Sequence, residues 1–196
     1  VERFSSVRFT KSINHTVRLT YVGRIAPEKN LVNLIKAIQR VLNSGYEVIL
    51  RLYGVANDQN YLKEINKLID NEHMTRNIEY LGPIQDITEV YSVTDLLCLV
   101  SFYEGLSNVL SESLACGLPL LASNISENAF LIENNINGFL VDPYNIEDIA
   151  EGIKRYLRLS PEERNKMSLN NKKKASEIFN KDVIYTAYLD LINETI

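Results

Sequence analysis

Six short apolar runs, each closed by glycine or a polar turn and alternating with stretches of helical spacing, constrain this chain more than any other feature. Val17-Arg-Leu-Thr-Tyr-Val22 reads as a strand that stops at Gly23. A helix follows with Leu31, Leu34, Ile35, Ile38, Val41 and Leu42 on one face, and it ends before Gly45. Residues 48–53 read as a second strand closed by Gly54, and the next helix buries Tyr61, Leu62, Ile65, Leu68 and Ile69. Residues 78–81 form a third strand ended by Gly82-Pro83, and 96–100 a fourth. The helix 108–116 leads through Gly117 into a fifth strand at 118–122, with a short sixth at 138–141. Strands separated by helices of about 10–15 residues predict right-handed βαβ units. The expected fold is therefore α/β: a Rossmann-like, doubly wound parallel sheet of about six strands with helices on both faces. The unbroken apolar run 96–100 fits a strand buried on both faces.

The last third reads as helical. Asn145 with Asp148 opens one helix, and Ser160-Pro-Glu-Glu163 is a capping box with proline at the first helical position. A final helix is expected from about Lys181, burying Val183, Ile184, Ala187, Tyr188, Leu191 and Ile192. The first 15 residues show no period and read as a connector. The chain begins with valine, so it reads as a piece of a longer polypeptide. With 196 residues it can bury roughly 70% of its unfolded surface without disulfides or metal. A net charge of −4 gives no reason to expect nucleic acid as a partner. Cys98 and Cys116 lack a C-x-x-C spacing and read as buried free thiols of a reducing compartment. No apolar run reaches the length of a bilayer crossing, and no signal peptide opens the chain, so a cytoplasmic location is expected.

In parallel sheets ligands sit beyond the carboxyl ends of the strands. Arg24, Gly54, Gly82 and Glu104 each follow a strand. Glu104 and Glu112 straddle a Gly105-Leu106-Ser107-Asn108 turn, where Ser107 or Asn108 can cap a helix and leave backbone N–H groups converging beside Glu104. One helical turn carries Glu112 roughly 6 Å beyond Asn108. Donors and two anchored acceptors at that separation suit a ligand with many hydroxyls and a phosphate, such as a sugar nucleotide. The plainer alternative has Glu104 ending a strand and Glu112 facing solvent. Upstream, Gly23 permits a tight strand exit, and Arg24 and Lys29 place two cations beside a helix N-terminus, an arrangement that suits phosphate oxygens. Its alternative is a surface pair neutralised by Glu28 or an aspartate. His15 and His73 stand alone and read as structural or surface residues. Lys172-Lys-Lys174 reads as a solvated face, and most of the eleven tyrosines read as core. The chain has no G-x-G-x-x-G, G-K-[ST], D-x-D or H-x-x-x-H, which counts against dinucleotide oxidoreductases, P-loop enzymes and the usual metal-diphosphate device.

Gly23-Arg24 with Lys29, and Glu104-x7-Glu112 leading into Ala-Cys-Gly-Leu-Pro119, resemble the signatures of the retaining glycosyltransferases of family four. Asn137-Gly138-Phe-Leu-Val141 is similar to that family's closing strand, and Val1-Glu-Arg-Phe4 to the end of its interdomain connector. The resemblance implies the GT-B fold, two Rossmann-like domains facing a cleft, of which this chain matches the C-terminal, donor-binding one. It implies a connector remnant at 1–16, a nucleotide-sugar-binding domain at 17–176, and a helix at 177–196 that packs toward the N-terminal acceptor domain. By the same resemblance Arg24 and Lys29 hold the donor diphosphate, and Glu104 accepts from the sugar hydroxyls. The turn from Gly105 through Leu106, Ser107 and Asn108 to Val109 lies against sugar and diphosphate, as does Gly23. Glu112 accepts from the ribose hydroxyls, and the edge around Gly82, Pro83 and Ile84 receives the nucleobase. Three departures stand out: Asn30 where the family has glycine after the lysine, Val55-Ala56 without a second glycine after Gly54, and Phe130 in place of a glutamate, with Glu127 nearby. The implied activity is transfer of a hexose-type sugar from a UDP- or GDP-linked donor to a glycan or lipid-linked acceptor. It needs no cofactor or metal and belongs to cell-surface polysaccharide assembly, with peripheral membrane association of the full-length enzyme and an inactive isolated fragment. The alternative is a non-catalytic nucleotide-sugar-binding module. A nicotinamide-binding domain is disfavoured by the missing glycine fingerprint.

Overall fold

Strands β1 (Val17–Val22), β2 (Val48–Tyr53), β3 (Ile78–Gly82), β4 (Leu96–Leu99), β5 (Leu120–Ser123) and β6 (Gly138–Val141) pair in parallel throughout. Their order across the sheet is β3-β2-β1-β4-β5-β6. The computed structural model describes residues 2–7, 16–125 and 128–180. The helices are α1 (Glu2–Ser5), α2 (Leu31–Asn43), α3 (Gln59–Asn71), α4 (Ile87–Ser92), α5 (Asn108–Cys116), α6 (Asn128–Leu131), α7 (Ile146–Leu157) and α8 (Pro161–Ile178), with a 3-10 turn at Pro27–Lys29. α2 packs against α3 and α7 on one face of the sheet, and α5 packs against α8 on the other. This is the doubly wound arrangement that the alternation of strands and helices predicts. Every residue of β4 and β5 is buried, as expected of strands covered on both faces.

The order of strands reverses between β1 and β4. The chain winds outward through β2 and β3, then returns to the other side of β1. In an open α/β sheet the loops leaving two such strands diverge to opposite faces and leave a crevice between them. The β1 exit (residues 23–30) and the β4 exit (residues 100–107) therefore frame the natural ligand site, and both carry residues singled out above.

Local signals explain most element bounds. Ser160 accepts from the Glu163 N–H while Glu163 reaches back to the Ser160 N–H, so the capping box opens α8. Asn145 caps α7, accepting from the Glu147 and Asp148 N–H groups. Three strands differ from their expected bounds, β3 only by running on through Gly82. β4 ends at Leu99 because the Val100 carbonyl is taken by the Asn30 side chain. β5 starts at Leu120 rather than Leu118 because Pro119 has no N–H for the ladder. Residues 2–5, expected to be aperiodic, form one helical turn set on α5, with the Phe4 ring 6.2 Å from Tyr91. His73 follows the C-cap of α3 in the left-handed region (φ 56°) and is exposed, a surface position. Within the lysine run Lys173 is exposed and pairs with Glu177, whereas Lys172 and Lys174 are half-buried. His15 and the helix expected from Lys181 lie outside the described residues.

Cys98 and Cys116 are buried and unbridged. Burial, aided by the Glu112 carboxylate, pushes the Cys116 thiol up to about 12, and burial alone raises Cys98. We expect a thiol-specific reagent at pH 8 to label neither residue until denaturant unfolds the chain; labelling of the folded chain contradicts this packing. Because the folded-state value lies above the ordinary 9.0, the stabilisation tied to the Cys116 proton is intact at neutral pH. It is lost only as pH climbs from about 9 toward 12.

Candidate functional site

The β1 exit is fixed before any ligand is considered. Tyr21 is fully buried, and its hydroxyl donates to the Arg24 carbonyl at 2.6 Å, pinning the loop as it leaves the strand. Burial and the nearby Glu104 carboxylate push the Tyr21 phenol above its usual range, so it keeps the proton it donates. The 3-10 turn then closes through Lys29 N–H to Ala26 O and Asn30 N–H to Pro27 O, both at 3.0 Å. This turn presents Lys29 toward the β4 exit.

Three contacts join the two exit loops. The Phe102 N–H donates to the Glu28 carbonyl at 2.9 Å. Asn30 is buried in the left-handed region (φ 57°), and its Nδ2 donates to the carbonyls of Val100 at 2.9 Å and Pro143 at 2.7 Å. Lys29 Nζ meets Glu104 Oε1 at 2.6 Å. Asn30 thus adopts the geometry a glycine would supply. Although it precedes α2, its side chain makes no cap bond to that helix. Its two donors instead tie the β1 exit to the ends of β4 and β6.

Glu104 is held twice at the same oxygen. Ser101 Oγ donates to Oε1 at 2.8 Å beside the Lys29 contact, and the Ser101 carbonyl accepts from Ser123 Oγ at 2.5 Å. Lys29 and Glu104 side chains are 15% and 12% exposed, so solvent screens their pairing weakly. Glu104 is therefore not simply a strand-terminal surface acid. Arg24 behaves differently. Its side chain is 66% exposed and its guanidinium lies 3.0 Å from Glu28, the surface pairing that is its alternative.

Beyond Glu104 the backbone turns through exposed Gly105 and Leu106 to Ser107, whose hydroxyl accepts from the Leu110 N–H at 3.4 Å and caps α5. Ser107 is the cap and Asn108 is the first helical residue, exposed, with Val109 half-buried. Glu112 follows one turn along and is half-buried, its Oε2 accepting from Tyr91 Oη at 2.9 Å. Gly23 opens the β1 exit, while Gly82 and Ile84 sit at the β3 exit, two strands away. The exits are linked by Gly23 N–H to Tyr53 O at 3.0 Å and Gly54 N–H to Gly82 O at 2.8 Å. Ile25 N–H donates to Val55 O at 2.9 Å, leaving the Val55 side chain exposed. Phe130 on α6 is also exposed, and Glu127 lies outside the described residues.

The structure thus brings Lys29 and Glu104 together and strings the other predicted positions along one rim. It adds Tyr21, Ser101, Ser123 and Tyr91, which the sequence reading missed. Ser101 carries a faint signal, a polar residue directly after an apolar strand; the tyrosines are indistinguishable from core. Among the described residues no group of three His, Cys, Asp or Glu side chains is arranged to hold a metal ion, and no helix is long and apolar enough to cross a membrane. A cavity of about 340 Å³ lined by Asn124, Asp142 and Tyr144 adjoins the rim beside β5 and β6. A larger one of about 710 Å³ opens at the opposite pole, at the amino ends of the strands, between Val17, Asp95, Pro119, Tyr156 and Arg164.

Residues 7–174 match the sequence family described as glycosyl transferases group 1. The capsular polysaccharide biosynthesis glycosyltransferase CapM of Staphylococcus aureus is 23% identical over 95% of this chain. A UDP-Gal:alpha-D-GlcNAc-diphosphoundecaprenol alpha-1,3-galactosyltransferase of Escherichia coli is 26% identical over 88%. The chain spans 48% and 45% of these two relatives, about half the length of each. Among solved structures, Anabaena Alr3699/HepE in complex with UDP and glucose superposes with a TM-score of 0.81 at 24% identity, over 91% of this chain and 48% of that one. The separately solved C-terminal domain of the Francisella tularensis group 1 protein LpcC superposes with a TM-score of 0.77 at 20% identity, over 90% of this chain and 98% of that domain. At these identities the likeness is one of fold, and the fold is that of GT-B glycosyltransferase domains.

Proposed function

The chain belongs to the group 1 glycosyl transferases, and from that premise we propose that it is the donor-binding half of a retaining, metal-independent enzyme of glycosyltransferase family four. The enzyme moves a hexose-type sugar from a UDP- or GDP-linked donor to a glycan or lipid-linked acceptor in cell-surface polysaccharide assembly. The observation that carries this reading is the Lys29–Glu104 contact at the point where the strand order reverses. A cation and an acceptor, fixed side by side where such sheets bind ligands, suit a group that is phosphate on one side and sugar on the other. The HepE complexes with UDP and with UDP-glucose favour a uridine donor.

In this account Lys29, which has three N–H donors and spends one on Glu104, offers the others to the diphosphate, and Arg24 turns from Glu28 to join it. Glu104, held at Oε1, presents Oε2 to the sugar hydroxyls. As the bond from the anomeric carbon to the diphosphate oxygen breaks, its electron pair leaves with the diphosphate. The fixed cations stabilise that growing charge more than they stabilise bound donor, and this difference is what lowers the barrier. The acceptor hydroxyl adds from the same face and passes its proton to the departing diphosphate, which gives retention. Residues 17–176 form the donor domain, and the acceptor site belongs to a second domain of the complete protein. The complete protein works in the cytoplasm, associates peripherally with the membrane, and needs that other half for turnover.

Calorimetric titration of this chain with UDP, GDP, ADP and NADH tests the reading. One nucleoside diphosphate is expected to bind, with the affinity falling about tenfold or more in Arg24→Ala and Glu112→Gln, by loss of a charge-assisted hydrogen bond. Binding of NADH alone, or binding indifferent to both substitutions, overturns it.

A further inference from the structure

Tyr91 is a fully buried hydroxyl that the donor-site account leaves without a task. It stands on α4 and reaches across to α5, where its Oη donates to Glu112 Oε2 at 2.9 Å. The ring has an aromatic neighbour and its helix is anchored. Phe4 packs against it at 6.2 Å, and the last turn of α4 is tied down by Thr94, whose hydroxyl bonds both the Val90 carbonyl and Thr20 Oγ1 at 2.8 Å.

We infer that Tyr91 is a positioning residue for ribose recognition: it holds Glu112 by Oε2 so that Oε1 is left to accept from the ribose hydroxyls of the nucleotide. The inference rests on the reading of Glu112 as the ribose acceptor. A glutamate on a helix has several rotamers, and a half-buried one must give up that freedom when it binds a ligand. A hydrogen bond from a side chain that is itself immobile transfers the loss to folding, before the ligand arrives. It also fixes the direction of the remaining oxygen, and direction is what separates a ribose from a sugar lacking its hydroxyls. The phenol suits the task because burial and the Glu112 carboxylate both push it above its usual range, so it remains a donor wherever the fold persists. Its contact with Glu112 joins residues 21 apart in sequence, on two different helices. A phenylalanine would pack the same space, so packing alone does not account for the hydroxyl.

The test compares UDP and GDP with their 2′,3′-dideoxy counterparts, on the wild-type chain, Tyr91→Phe, Glu112→Gln and the double variant. Wild type is expected to prefer the ribonucleotide. Both single variants are expected to reduce that preference, by about tenfold where a charge-assisted hydrogen bond is lost, while affinity for the dideoxy nucleotide stays within about twofold. The double variant is expected to behave like Glu112→Gln, because the two side chains act as one unit. A Tyr91→Phe chain that weakens both nucleotides equally, or neither, gives Tyr91 a structural role only and overturns the inference while leaving Glu112 in place. Additive losses in the double variant overturn it as well. If wild type does not distinguish the two nucleotides, the Glu112 assignment falls and the inference falls with it. Denaturant midpoints taken on the same samples separate loss of fold from loss of preference.

Discussion

Replacing Gly54 by alanine is expected to cost the fold at least about 4 kcal/mol, in the range of the most damaging single substitutions. Gly54 closes β2 at φ 142°, and a Cβ built on it lies 1.7 Å from the Gly23 carbonyl oxygen and 2.7 Å from its carbon. Those atoms are backbone of the neighbouring exit, held by Gly23 N–H to Tyr53 O, and cannot rotate aside. Two strand exits would have to separate, breaking the ladder at the rim that carries Arg24 and Lys29. Gly45 is the control. It has φ 84° and nothing within 4 Å of its Cβ, so alanine there meets only left-handed strain of about 1–2 kcal/mol. Urea midpoints at unchanged slope give both values. A Gly54→Ala chain no less stable than Gly45→Ala would show that the exits are not packed as described.

The second large effect falls on Lys29. Its replacement by alanine removes the cation paired with Glu104 and leaves that acid the hydroxyl of Ser101 as its hydrogen-bond donor among the described residues. We expect nucleoside-diphosphate affinity to fall on the order of 100-fold, equivalent to about 3 kcal/mol for a charged contact. Stability should fall by about 1–3 kcal/mol, less than for a fully buried pair because both side chains keep some solvent contact. Glu104→Gln separates the two halves of the site. It should leave the affinity for the free nucleoside diphosphate within about threefold, yet abolish any gain from the attached sugar, so that UDP-glucose binds no better than UDP. A glutamine variant that loses UDP and UDP-glucose alike would place Glu104 on the phosphate side and contradict its role as sugar acceptor. In the complete polypeptide, Lys29→Ala is expected to lower turnover by about 10²–10³, by analogy with an oxyanion donor.

Much of this was legible in the residues. The six apolar runs fixed the six strands because a two-faced parallel sheet requires near-continuous hydrophobicity, which no surface element imitates. Ser160 and Asn145 announced α8 and α7 through cap chemistry that acts within three residues. What escaped was non-local. The bounds of β4 and β5 were set by the Asn30 amide, 70 positions from the carbonyl it takes, and by a proline counted inside a strand. Ser123 and Tyr91 were missed because their partners lie more than 20 positions away, and a tyrosine that orients a carboxylate has the same spacing as one that fills a core. Arg24 and Lys29 looked equivalent in sequence, and only the structure separates the solvent-facing partner of Glu28 from the enclosed partner of Glu104.

If a nucleoside diphosphate binds at the carboxyl ends of β1 and β4, amide chemical shifts during titration with UDP will report it residue by residue. The predicted result is saturable change at Gly23, Lys29, Gly82, Gly105 through Val109 and Glu112, absent in Lys29→Ala. Changes confined to Val17, Asp95 and Tyr156, around the 710 Å³ cavity at the opposite pole, would contradict it, as would UDP and GDP both leaving the rim unmoved.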